Sequence, residues 1–240
     1  MKSKIKLIGV IILILHSFFL ISQDIIVKYV QYENSEKKID LNDRRYKKLP
    51  ENIKNKLIQQ SLIKYTDYFT LYHSKYKSKY IYDERKFESA DEADFLPVLF
   101  TLNYYKDFLK KKIIMIADFV PDDYQVERTF DEISKELKQD TMTINGYLCK
   151  KAIINFLDDM KAVVWYTPDI PVPDGPSWFF GLPGLVLKVN IENTIITEAV
   201  NIEFPKNMLE IELPDRKKPI SYKEYKKDYI FKWMSEYNNK

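Results

Sequence analysis

The chain has 240 residues, 15% of them aromatic, and its 38 lysine and arginine residues against 35 acidic ones give a formal net charge of +3. Residues 1–23 hold three of the lysines and no acid, so the remaining chain carries 35 residues of each sign. A nucleic-acid-binding protein usually has a basic excess or a basic stripe. Neither remains beyond residue 23, and we expect no nucleic-acid partner.

The N-terminus predicts export. Three lysines precede an apolar run over residues 7–21, which is the pattern of a secretory signal peptide. The run is too short and too interrupted to span a bilayer comfortably. We predict that residues 1–23 are a signal peptide cleaved near Ser22 or Gln23, and that residues 24–240 form a single β-rich domain. An uncleaved membrane anchor is the alternative.

The first half of the domain predicts paired strands. Short runs rich in valine, isoleucine, tyrosine, phenylalanine and threonine are typical of strands, and they cover residues 25–32, 57–65, 68–73, 98–105 and 111–119. The last two predict a hairpin with an unusual loop over Lys106–Lys110. Asp131–Lys138 predicts a short, charged helix.

The second half alternates more clearly. Residues 146–154, which contain the lone Cys149, and residues 162–167 predict strands, the second ending at Pro168. A period of two places one set of side chains toward the core and the other toward water. It predicts a buried set of Leu185, Leu187, Val189 and Ile191, and a second set of Ile196, Val200, Ile202 and Phe204.

A C-terminal helix completes the predicted elements. Residues 222–236 carry an apolar stripe, Ser221 can cap the helix, and Glu224 stands at the third position of a capping box. Packing on the sheet is the expected use of the stripe, and binding a partner is the alternative. Alternating strands with one solvated face are typical of antiparallel sheets. The fold class predicted is therefore mainly β, as a curved antiparallel sheet or open half-barrel with a C-terminal helix.

The stretch between the strands at 162–167 and 185–191 is the most unusual part of the chain. It contains three of the five glycines, and its prolines predict that residues 168–176 leave the sheet as an extended connection. Pro173-Asp174-Gly175 has the composition of a turn in which the glycine is free to take positive φ, and Pro183-Gly184 predicts a type II turn. We predict a structural motif of Gly175, Pro176, Gly181, Pro183, Gly184 and Leu185.

Large apolar side chains lie between these turns. Trp178, Phe179, Phe180 and Leu182, together with Trp165 on the preceding strand, are the candidate ligand or lid residues. A long connection without secondary structure usually folds over something or serves a function. Either these side chains plug the open face of the sheet as part of the core, or they cover a cavity from which an apolar ligand or partner displaces them.

The hexapeptide GLPGLV at residues 181–186, with the upstream GYLCKKA at 146–152, resembles the signature of the GLPGLI family of Bacteroidota. Val186 stands where the family name has isoleucine. The resemblance implies an exported protein of the periplasm or the cell exterior, with a fold similar to half-barrel carriers of lipoproteins or lipids. It implies no catalytic residue.

The chain offers little catalytic chemistry. A catalytic cysteine needs a histidine partner, and beyond residue 23 only His73 is present. Asp158, Asp159, Asp169 and Asp174 are candidates for a hydrolase only because they flank the aromatic stretch. We predict no catalytic residue, no metal site and no cofactor.

Three functional hypotheses follow. The leading one is an exported, non-enzymatic protein that binds or carries a lipid-like or other apolar ligand, for which Trp178→Ala should weaken ligand uptake. The alternative is an accessory protein that docks on an outer-membrane complex or protein, and a hydrolase comes third. We expect a monomer.

Overall fold

The computed structural model describes residues 24–34, 63–88, 100–119, 123–156, 161–215 and 218–227, with isolated positions between 47 and 58. These residues contain twelve strands in one sheet, which confirms the predicted mainly β fold. The strands are β1 (Ile25–Glu33), β2 (Tyr65–Ser74), β3 (Lys77–Phe87), β4 (Phe100–Asp107), β5 (Lys112–Phe119), β6 (Asp123–Thr129), β7 (Ile133–Ile144), β8 (Tyr147–Phe156), β9 (Lys161–Thr167), β10 (Leu185–Ile191), β11 (Ile195–Glu203) and β12 (Ile220–Ser221).

Two antiparallel meanders build this sheet. Strands β1 to β6 follow one another in space as they do in sequence, and so do β7 to β11. Antiparallel pairing of β1 with β11 joins the two meanders at the middle of the sheet. The short β12 adds a parallel neighbour to β6.

The sheet is curled and open. Strands β6 and β7 lie toward opposite ends of the strand order, yet only a 3-10 turn, Phe130–Glu132, separates them along the chain. The guanidinium carbon of Arg128 on β6 also lies 5.9 Å from the ring centre of Phe156 on β8. The two ends therefore approach each other around a concave face, and this face holds the hydrophobic core.

Two predicted elements differ from the structure. Residues 131–138 are not a helix, because β7 covers Ile133–Ile144. This strand lies at one end of the sheet, and most of its side chains are exposed. Its charged composition therefore resembles that of an exposed helix, and composition alone could not distinguish the two. The strand predicted over residues 57–65 is not supported at its described positions, since Ile58 is helical, residues 63 and 64 have no regular structure, and β2 begins only at Tyr65.

The C-terminal helix is present over residues 222–227, and the predicted capping box forms at its start. The amide of Glu224 donates to Ser221 Oγ at 3.2 Å, while the amide of Ser221 donates to Glu224 Oε2 at 2.8 Å. The remainder of the predicted helix, the predicted signal peptide, Asp158 and Asp159 lie outside the described residues.

The predicted inward side chains are correct on β10 and only partly correct on β11, where Ile202 packs against the core. Leu185, Leu187 and Val189 are buried, as is Val186, where the register with β9 shifts. On β11 the buried residues are Thr197 and Ala199, while Val200 and Phe204 are 50% and 44% exposed. Ala199 lies directly opposite the large, buried Tyr29 of β1, so a small side chain fits at this inward position.

Candidate functional site

The connection between β9 and β10 lies on the concave face and is fastened there by backbone hydrogen bonds. We call residues 170–184 the aromatic segment. The amide of Leu185 donates to the Ile170 carbonyl at 2.9 Å, and the amide of Val186 donates to the Asp174 carbonyl at 2.9 Å. Within the segment, the Gly181 amide donates to the Pro173 carbonyl at 2.8 Å. The segment is therefore a compact layer over the sheet.

The apolar side chains of the segment are part of the core. Trp178, Phe179, Phe180 and Leu182 are 6%, 3%, 1% and 2% exposed.

Their ring contacts reach both meanders. Trp178 packs edge-on against Tyr104 of β4 with ring centres 4.8 Å apart, and Phe179 packs against Phe156 of β8 at 5.6 Å. Phe180 packs against Phe130 of the 3-10 turn at 4.1 Å. Such aromatic pairs add about 0.5–1.5 kcal/mol each beyond the area they bury.

Trp165 does not join this group. On β9 the neighbouring Val164 and Tyr166 are buried and face the core, whereas Trp165 is only partly buried. Because successive side chains of a strand point to opposite faces, Trp165 lies on the outer face. There Lys151 Nζ lies 5.9 Å from its ring centre.

Glycine is required at positions 184 and 175, because backbone atoms of other residues lie where a Cβ atom would be. A methyl group on Gly184, whose φ is +149°, would overlap the carbonyl oxygen of Thr167. The predicted type II turn is wrong here, because the Gly184 amide donates to the Leu182 carbonyl across Pro183 alone. Gly175 is not among the residues with positive φ, contrary to its predicted turn role. A Cβ there would lie 2.5 Å from the Phe179 carbonyl oxygen.

The other motif residues differ in exposure. Pro176, Gly184 and Leu185 are buried, whereas Gly181, with φ of +73°, and Pro183 are exposed.

A buried ionic cluster lies beneath the segment. Lys106 Nζ donates to Asp174 Oδ1 at 2.7 Å and to the Gly175 carbonyl at 2.6 Å. His73 Nδ1 lies 2.8 Å from Asp174 Oδ2, and it carries the proton because a carboxylate only accepts. The side chains of Lys106, Asp174 and His73 are at most 3% exposed. We call these three residues the buried cluster.

Burial and the attraction between opposite charges shift the pKa values of the buried cluster in opposite directions. Burial alone would raise the pKa of Asp174, but the charge of Lys106 and the hydrogen bonds from His73 and Lys106 outweigh it and hold this pKa well below its usual range. Burial lowers the pKa of Lys106, and the neighbouring Asp174 counteracts this. The arrangement is a hydrogen-bonded ion pair that holds the segment to β4.

Strand register brings the cluster together. His73, Ser78 and Lys106 are successive cross-strand partners on β2, β3 and β4. Ser78 is fully buried, and its hydroxyl has no hydrogen-bond partner among the described residues. Lys106 was not predicted as a site residue, because Lys106–Lys110 has the composition of a loop. Strand β4 nevertheless extends to Asp107, and Lys106 shares its parity with the buried Tyr104.

A groove of about 530 Å³ lies at the turn ends of β2 to β5, and we call it the turn groove. One wall comes from the β2–β3 and β4–β5 turns, including Tyr76 and Leu109, and the other from residues 208–213. Tyr76, Leu109 and Met208 are 48%, 69% and 60% exposed. Asp24 helps to hold this region, because Ser74 Oγ and the Leu209 amide both donate to its carboxylate.

The turn groove and the buried cluster lie on opposite faces of the same strands. Ser74, Lys77 and Asp107 line the groove. Each is the sequence neighbour of an inward residue, namely His73, Ser78 and Lys106. Alternation along a strand therefore separates the two regions by one sheet thickness.

Other chemistry is limited in the described part of the chain. Cys149 is buried, and burial raises the pKa of its thiol to about 11, which keeps it protonated at neutral pH. The described residues contain no group of three His, Cys, Asp or Glu side chains suited to a metal ion. No helix among them is long and apolar enough to cross a membrane.

The described chain is thus a curled, open β-sheet protein whose concave face is occupied by its own aromatic segment. A family model described as the N-terminal domain of N-glycanase peptide matches residues 110–226, just under half of the chain. Two structures of PNGF-II, in space groups P21 and C2, resemble it with TM-scores of 0.55 and 0.53, each at 16% identity.

The similarity to PNGF-II covers 86% of this chain but only 33% and 32% of the two PNGF-II chains. This chain therefore spans about a third of the length of PNGF-II, and at this identity the likeness shows the fold. A comparison with curated proteins finds no match. Membership of the GLPGLI family stays a prediction.

Proposed function

We propose that this chain is an exported, non-catalytic binding module that takes an apolar ligand in the turn groove. The observation that carries the proposal is the exposure of Tyr76, Leu109 and Met208 around a groove of about 530 Å³. Ligand sites are typically clefts of about 300–1,000 Å³ lined by apolar side chains. Clustered exposed apolar residues mark interaction sites more often than isolated ones do.

The concave face is a poorer candidate for the ligand. Its aromatic side chains are 1–6% exposed and fill the face themselves. A ligand that displaced the segment would separate Lys106 from Asp174 and leave a buried charge without its partner. Breaking a buried pair in this way costs about 3–5 kcal/mol. These observations favour a segment that belongs to the core, with recognition on the opposite face of the strands.

The remaining parts of the proposal rest on sequence and similarity. Export rests on the N-terminal lysines and apolar run of residues 1–23. A non-catalytic role is supported by the buried thiol of Cys149, whose raised pKa keeps it protonated, and by the engagement of the buried His73 with Asp174. Docking on an outer-membrane partner is the alternative for the same groove.

The test uses the dye anilinonaphthalene sulfonate, which fluoresces on apolar protein surfaces. Leu109→Asp and Met208→Asp should each reduce the dye signal of the folded protein at least about fivefold, because each places a charge in the groove. Leu137→Asp and Leu148→Asp are matched controls, since these leucines are 56% and 54% exposed and lie on β7 and β8, away from the groove. Equal losses in all four variants would overturn the proposal.

A further inference from the structure

The wall of the turn groove formed by residues 208–213 has the pattern of an unpaired strand. Side-chain burial alternates along it: Leu209, Ile211 and Leu213 are partly or fully buried, while Met208, Glu210 and Glu212 are exposed. A period of two is typical of an extended chain. Among the described residues, however, this stretch pairs with no strand of the sheet.

The backbone of this wall is almost free of partners. The Leu209 amide donates to the carboxylate of Asp24. Within the described part of the chain, the backbone groups of residues 210–213 make no hydrogen bond. Successive amides of an extended chain point to opposite edges, so the edge away from Asp24 presents the N–H and C=O groups of Glu210 and Glu212.

We propose that the ligand of the turn groove is an extended polypeptide segment that pairs with residues 209–213 as an added β-strand. This inference rests on the proposed function of the groove. Backbone N–H and C=O groups are directional and need hydrogen-bonding partners when they are covered. An acyl chain would bury them unsatisfied, whereas a peptide strand would pair with them, as in other strand-addition complexes.

A second groove adjoins the turn groove along the same stretch of chain, so there is room for a ligand longer than the turn groove alone. This second groove of about 380 Å³ is lined by residues 204–208 and shares Lys75 and Met208 with the turn groove. Phe204 in this second groove is 44% exposed. The chain bends at residues 206–207 between the two grooves, so the extended part of the wall is residues 208–213, which spans about 17 Å at about 3.3 Å per residue.

Glu210 and Glu212 define the charge of the wall with which the peptide would pair, whereas Lys75, Lys77 and Lys110 lie on the other wall of the groove. Glu210 and Glu212 are exposed, and neither forms an ion pair with a described residue. On a strand paired to this wall, the Cβ atoms of the residues directly opposite would lie about 5 Å from those of Glu210 and Glu212, and opposite charges at such cross-strand positions are favourable. The preferred segment therefore alternates basic residues with apolar ones, and the apolar residues contact the groove.

The experiment measures binding of three capped heptapeptides to the full chain by isothermal titration calorimetry. The first alternates valine and lysine, the second alternates valine and glutamate, and the third is the first with N-methyl groups on every backbone amide, so that neither edge can donate. We expect the valine–lysine peptide to bind at least tenfold more tightly than either of the others. Hydrogen exchange at the amides of Glu210 and Glu212 should slow when it binds.

A charge-reversed variant supplies the control. In Glu210→Lys/Glu212→Lys the preference should switch to the valine–glutamate peptide, while the N-methylated peptide remains weak. Equal binding of the N-methylated and unmodified peptides, or no peptide binding at all, would overturn this inference. If the dye still binds the groove and responds to Leu109→Asp in that case, the proposed function stands and its ligand is a small amphiphile instead.

Discussion

Lys106 on β4 and Asp174 in the aromatic segment form an ion pair in which Nζ lies 2.7 Å from Oδ1 and both side chains are at most 1% exposed. The pair links two parts of the chain that are 68 residues apart. Because Lys106 also donates to the Gly175 carbonyl, one ammonium group holds both a side chain and the backbone of the segment. The aromatic side chains are thus positioned by a polar attachment beneath them.

Asp174→Asn should destabilise the fold strongly. The substitution leaves the charge of Lys106 buried without its counterion, which costs about 3–5 kcal/mol. Urea unfolding followed by circular dichroism would measure the loss. Glu84→Gln is the matched control, since Glu84 pairs with Lys86 at a site where both side chains are more than half exposed, and its effect should stay below about 1 kcal/mol. A loss of similar size in both variants would contradict this account.

The contribution of Asp174 should depend on pH in one direction. Its pKa in the folded protein lies below the value of about 3.9 for an unfolded chain. A carboxyl with a lowered pKa contributes stability that is fully present above the unfolded value and is lost as the pH falls through the folded value. The difference in free energy of unfolding between the wild type and Asp174→Asn should therefore shrink as the pH falls below about 4. A difference that grew on acidification would contradict the lowered pKa.

The sequence predicted the elements that depend on local pattern. The strand predicted at residues 162–167 appears as Lys161–Thr167, and the capping box of Ser221 and Glu224 forms, because alternation and capping depend on residues a few positions apart. It failed for β7, an exposed strand at one end of the sheet whose composition carries no burial signal.

Contacts between residues that are distant in the sequence could not be predicted from such local patterns. The sequence indicated Asp174 as a turn residue and as an acid flanking the aromatic stretch, and no local feature connects it with Lys106 or His73. Their contact depends on the register of β2, β3 and β4 and on how the aromatic segment crosses the sheet. The turn groove depends in the same way on two turns that meet a distant stretch of chain, so periodicity could not predict it.

Gly184→Ala should destabilise more than Gly146→Ala. Both glycines have positive φ, at +149° and +81°, so an alanine at either position carries a backbone cost of about 1–2 kcal/mol. A methyl group at Gly146 meets no atom within 4 Å, whereas one at Gly184 overlaps the backbone of Thr167 and adds about 1–3 kcal/mol. Thermal unfolding of the two variants would measure the difference, and equal melting temperatures would show that β9 and the segment separate easily.

Trp178→Ala should weaken the fold and leave the turn groove intact. The indole is 6% exposed, packs on Tyr104, and lies 5.1 Å from the Arg128 guanidinium, so its removal opens a cavity that costs about 3–5 kcal/mol. Leu148→Ala, at a leucine that is 54% exposed, should change the free energy of unfolding by less than about 0.5 kcal/mol.

Dye binding by the folded Trp178→Ala variant then shows which of two candidate sites takes the ligand, the turn groove or a cavity beneath the aromatic segment. If the segment belongs to the core, the fluorescence of anilinonaphthalene sulfonate under native conditions should match that of the wild type, because the turn groove lies on the opposite face of the strands. If the segment instead covers a ligand cavity, the dye signal or the uptake of a lipid should fall in this variant while Leu109→Asp has no effect. That result would place the ligand beneath Trp178 and remove the reason to assign it to the groove.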